Sequence, residues 1–108
     1  MFNYKLTIQY DGTNYAGWQI QENAASVQEV IRDSIKQILQ ADINLIGAGR
    51  TDAGVHALGQ VANFSVSQHL DLYKFKYSLN AVLPKDISIT KIETVQEDFH
   101  SRFSAQKR

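Results

Sequence analysis

The chain reads as an α+β domain, one antiparallel sheet with both helices on one of its faces, and three observations predict it. Two segments carry apolar residues at helical spacing behind a capping residue. Four short segments carry them in alternation or in β-rich runs. The order along the chain is strand, helix, strand, strand, helix, strand, the βαββαβ order of the ferredoxin-like, split βαβ arrangement. With 108 residues, 44% hydrophobic and 10% aromatic, residues 1–108 fit one domain with enough apolar side chain for a core, which argues against intrinsic disorder.

The first strand is Tyr4 to Tyr10, where Tyr4, Leu6, Ile8 and Tyr10 alternate with polar residues and so share one face. Asp11-Gly12 ends it. From Thr13 to Ala25 the sequence is polar and without period, yet it holds Tyr15, the only tryptophan, Trp18, and the amides of Gln19 and Gln21. That aromatic content exceeds an ordinary connector's and marks a candidate functional loop. Ser26 followed by Glu29 forms a capping box, and Val27, Val30, Ile31, Ile35, Ile38 and Leu39 recur at helical spacing, predicting a helix over about 27–40.

Ile43 to Ile46 reads as a short second strand, a glycine-rich turn runs from Gly47 to Gly59, and Gln60 to Val66 is a third strand with Ala62, Phe64 and Val66 on one face. Asp71 caps a second helix on which Leu72, Phe75, Leu79, Val82 and Leu83 share a face, and Pro84 stops it because proline cannot continue the hydrogen-bond ladder. Ile87 and Ile89 begin the fourth strand. No linker, repeat or low-complexity tract divides the chain.

Composition narrows the chemistry. Without cysteine there is no disulfide framework, thiolate nucleophile, zinc knuckle or iron–sulfur cluster, so reactive groups must be oxygen or nitrogen. Lysine plus arginine balance aspartate plus glutamate at 11 each, so nucleic-acid binding would need a local patch. His100 to Arg108, with Arg102, Lys107 and Arg108 and no acid, is the one stretch that leans basic, and a solvated terminus explains it equally well. The N-terminus lacks a signal peptide's apolar region and no apolar run nears the ~20 residues a membrane helix requires, so a soluble, cytoplasmic protein with no membrane partner is expected.

Gly47-Ala48-Gly49-Arg50-Thr51-Asp52 begins like a dinucleotide fingerprint, but Asp52 replaces the third glycine and a strand follows, so no helix N-terminus receives a pyrophosphate. Two readings of this turn remain. In one, the glycines serve turn geometry while Arg50 and Asp52 form a surface ion pair. In the other, Arg50 keeps the Asp52 carboxylate ionised as a nucleophile or base, and the glycines let a planar substrate approach the backbone. His56, His69 and His100 are scattered without metal-ligand spacing, so no metal is expected. A glycosidase pair has only Asp11 as partner for Asp52. The third strand, with one aromatic and no positive charge, does not resemble the stacking platform of an RNA recognition motif. His56, His100 and Arg102 are candidate phosphate contacts, set against a structural histidine and a solvated arginine.

Several segments together resemble the TruA family of tRNA pseudouridine synthases: Tyr10-Asp11-Gly12-Thr13 with Gly17-Trp18-Gln19, Gly49 through Ala57, Gly59-Gln60-Val61, Leu83-Pro84 with Asp86-Ile87, and Phe99 through Ala105. They occur in the family's order over nearly the whole chain, and the stretch from Gly49 to Ala57 is highly specific. The resemblance implies that Asp52 is the catalytic aspartate and Arg50 its partner, which also manages the flipped-out nucleotide. It implies a uridine of the tRNA anticodon stem-loop as substrate, no cofactor, and a homodimer. Family members are about twice as long, with two similar halves facing one another, and this chain resembles the N-terminal half. The alternative is a noncatalytic ferredoxin-like domain that binds RNA or a protein partner.

Overall fold

The computed structural model describes residues 1–97. Its elements are β1 (Phe2–Tyr10), α1 (Val27–Leu39), β2 (Ile46–Gly47), β3 (Ala57–Val66), α2 (Leu72–Val82) and β4 (Ile87–Val95). The strands form one sheet in the order β2-β3-β1-β4, every pairing antiparallel, as the ferredoxin-like reading requires. β1 therefore lies inside the sheet, which is why its alternation is so clear. Tyr4, Leu6, Ile8 and Tyr10 are buried opposite Phe64 and Ala62 of β3 and Ile89 and Ile87 of β4. Val27, Ile31 and Ile35 of α1 and Phe75 and Leu79 of α2 belong to the same core cluster, so both helices cover that one face.

The opposite face carries Asn3, Lys5 and Thr7 of β1 and Val61, Asn63 and Ser65 of β3, and no aromatic ring from the described residues of these two strands. Asn63 donates to Asn3 Oδ1 at 3.1 Å within this layer, and Lys5 lies 3.6 Å from Glu93.

Capping follows the sequence. The Ser26 side chain accepts the Glu29 N–H, and Gln40 closes α1 in the left-handed region at φ 53°. Asp71 caps α2 by accepting the Lys74 N–H. Ser26→Ala is expected to destabilise the domain by about 1 kcal/mol, measured as a shifted urea midpoint with unchanged slope.

Three boundaries differ from expectation. β2 comprises Ile46–Gly47 and not Ile43–Ile46, because Leu45 turns into the core and its carbonyl accepts Gln28 Nε2 at 2.7 Å, a bond from α1 in place of a ladder. β3 begins at Ala57 and not at Gln60, since a register shift between Ile8 and Tyr10 brings Ala57 opposite Tyr10. β1 begins two residues early, at Phe2, paired with Val66. No helix among the described residues is long and apolar enough to cross a membrane.

Candidate active site

The loop between β2 and β3 carries Arg50, Asp52 and His56, and its backbone is held at several points. Ala48 N–H donates to the Val61 carbonyl at 2.8 Å and Gln60 Nε2 to the Gly49 carbonyl at 2.8 Å. Thr51 is turned inward: its hydroxyl lies 2.8 Å from the buried Tyr10 hydroxyl, and its carbonyl accepts the Trp18 N–H at 3.2 Å. Arg50 and Asp52, on either side of Thr51, are exposed. Val55 N–H then donates to the Asp52 carbonyl at 3.2 Å, closing a four-residue turn whose third residue, Gly54, has φ 78°, the value that favours glycine in a type II turn.

No ion pair among the described residues engages Arg50 or Asp52. The surface ion pair that spacing alone suggested is thus not formed. An exposed carboxylate and an exposed guanidinium, two residues apart on a tethered backbone, leave both groups open to a ligand.

His56 is engaged through one nitrogen. Gly12 N–H donates to Nδ1 at 2.9 Å, and Asp11 Oδ1 lies 3.1 Å from the same atom. Both contacts fall on Nδ1, so Nε2 is the ring nitrogen that makes none of the contacts described here. The Thr13 hydroxyl and then the Thr13 N–H hold the Asp11 carboxyl below the usual carboxylate range. Tyr15 donates to Asp86 Oδ1 at 2.6 Å, and burial followed by this bond raises its pKa well above the ordinary phenol value. Tyr15 is therefore a protonated strut between the loop after β1 and the turn before β4, not a base. A hollow of about 360 Å³ opens beside His56, lined also by Tyr10, Asp11, Lys85 and Asp86. A groove of about 510 Å³, lined by Trp18, Gln19, Gly49 and Arg50 among others, flanks the loop at Arg50.

The site thus brings Arg50, Asp52 and His56 onto one loop. His69 stands elsewhere, edge-on to Phe2 at 5.2 Å, and His100 and Arg102 lie outside the described residues. Among the described residues no group of three or more His, Cys, Asp or Glu is placed to hold a metal ion. Sequence reasoning missed Tyr10 and Thr51 as site residues, because an alternating strand gives its last tyrosine to the core and says nothing of its hydroxyl. Trp18 is also a core residue, 2% exposed and stacked on Tyr10 at 6.3 Å, which explains the unusual aromatic content of its loop.

The family model for tRNA pseudouridine synthase matches residues 6–104. The chain belongs to that family. It is 49% identical over 108 residues to tRNA pseudouridine synthase A of Thermoanaerobacter sp. (strain X514), covering 100% of this chain and 44% of that protein. The identity is 55% over 108 residues to the protein of that name from Caldicellulosiruptor saccharolyticus, again 100% and 44%. It is 46% over 111 residues to that of Limosilactobacillus reuteri, 100% and 43%. The chain therefore spans under half the length of these relatives. The segments that carried the resemblance include the loop now seen to display Asp52.

Proposed function

We propose that residues 1–108 are the catalytic-aspartate half of an enzyme that converts uridine to pseudouridine in the anticodon stem-loop of tRNA. The observation that carries this reading is Asp52 itself, an exposed carboxylate without an ion pair among the described residues, on a loop whose backbone is fixed around it, in a chain of the tRNA pseudouridine synthase family. The reaction is an isomerisation: the bond from ribose C1′ to uracil N1 breaks, the base turns, C5 bonds to C1′, the C5 proton leaves and N1 gains one. No cofactor is consumed.

Each residue type suits that chemistry. The target must leave the base stack before a side chain reaches its glycosidic atoms, and an ionised carboxylate can then add to the sugar or base or remove a ribose proton. Arg50 keeps Asp52 charged as RNA excludes water, where attraction between the two strengthens, and holds the flipped nucleotide. His56 contacts an RNA phosphate, with His100 and Arg102 as further RNA contacts.

The test compares this chain with a version extended beyond Arg108 on tRNA tritiated at uracil C5. The extended protein is expected to release tritium, and the 108-residue chain to release little without its opposing half. Release by neither, with both folded, would turn the reading to a noncatalytic RNA-binding or protein-interaction domain.

A further inference from the structure

The segment from Gly12 to Trp18 contributes no group to the chemistry above, yet its contacts converge on the Asp52 loop. Trp18 N–H holds the Thr51 carbonyl, the Tyr15 carbonyl accepts the Gly54 N–H at 3.2 Å, and Gly12 N–H reaches His56. The approach is close enough that a Cβ on Gly12 would lie 1.9 Å from the Val55 oxygen, and one on Gly17 would lie 2.3 Å from the Thr51 oxygen. On its other side the segment is tied to rigid elements. The Gly17 and Trp18 carbonyls accept the first N–H groups of α1, from Val27 and Gln28, which the helix itself leaves without partners. Tyr15 is bonded to Asp86.

The Tyr10–Thr51 bond completes this arrangement from the sheet. The Tyr10 ring is 3% exposed and stacks on Trp18, so packing accounts for the ring, and phenylalanine would serve the core as well. The hydroxyl is surplus to that packing. It reaches a residue 41 positions away, adjacent in sequence to Asp52.

We propose that the Tyr10 hydroxyl and the Gly12–Trp18 backbone form a cradle that positions Asp52, with Tyr10 and Thr51 as its side-chain members. Neither touches substrate. They act through the backbone that carries the carboxylate, and a misplacement of about 1 Å at a reacting group costs on the order of 10²-fold in rate. The inference rests on Asp52 being the catalytic carboxylate, and its test separates the two ideas.

In the extended protein, Tyr10→Phe and Thr51→Val each remove the bond while keeping ring or shape, and Thr51→Ser restores the hydroxyl. Each bond-breaking variant is expected to lower kcat roughly 10-fold with KM within about twofold. Thr51→Ser is expected to stay within about threefold of the parent, and the double variant to fall no further than either single, because both remove one shared bond. Hydrogen exchange gives a readout independent of turnover: the Gly54 and Val55 amides should exchange faster in Tyr10→Phe while those of Leu6 and Phe64 stay protected. Unchanged kcat with unchanged exchange overturns the cradle, as do losses that add in the double variant. Faster loop exchange in Tyr10→Phe, with a parent that releases no tritium, would keep the cradle and discard the catalytic reading.

Discussion

Asp52→Asn in the extended protein is expected to reduce tritium release by roughly 10³-fold or more, with the unfolding midpoint essentially unmoved. The two halves of this expectation come from the same geometry. Asparagine has the shape of aspartate but neither its charge nor its nucleophilicity, so any role as nucleophile or base is lost. The carboxylate is exposed and makes no ion pair among the described residues, so replacing it removes no buried partner, and a surface change of this kind falls within about ±0.5 kcal/mol. The Asp52 carbonyl that accepts the Val55 N–H is retained. Were Asp52 a scaffold residue, the order would invert, with stability falling and turnover following only in proportion to unfolded protein. An asparagine variant with parental turnover would sink the assignment.

The elements that the sequence displayed plainly are those buried on one side. β1 is flanked by two strands and covered by helices on one face, so its even positions are apolar, and α1 pairs a capping serine with a stripe from Val27 to Ile35. The ends of β2 and β3 were hidden because they depend on partners remote in sequence. Leu45 leaves the ladder for a bond to Gln28, and Ala57 enters it by pairing with Tyr10. The site divides in the same way. Asp52 and Arg50 stand out as candidates through the motif around them, whereas spacing alone favoured an ion pair that the structure does not contain. Tyr10 and Thr51 were not legible, since nothing local to either residue announces a bond across 41 positions.

The glycines of the site give the second large effect, and a contrast that isolates its cause. Gly17 and Gly54 both have positive φ, 101° and 78°. Placing a side chain at either one costs about 1–2 kcal/mol in backbone conformation alone. A Cβ on Gly54 meets nothing within 4 Å, so Gly54→Ala is expected to stop at that cost. A Cβ on Gly17 meets the Thr51 oxygen at 2.3 Å and the Asp52 carbonyl carbon at 3.3 Å, both backbone atoms. The Thr51 carbonyl cannot yield freely, because it is bonded to the Trp18 N–H next door and its own residue is held by Tyr10. Gly17→Ala is therefore expected to cost roughly 3 kcal/mol or more, adding overpacking to strain. Relaxation there falls on the Thr51–Asp52 backbone, against which the Gly17 Cβ presses. Folded Gly17→Ala should consequently lose turnover beyond its loss of stability, whereas Gly54→Ala should lose less of both. Urea melts and tritium release on the two variants side by side measure this. Equal losses of stability would show that φ alone, and not the contact between the two loops, governs these positions.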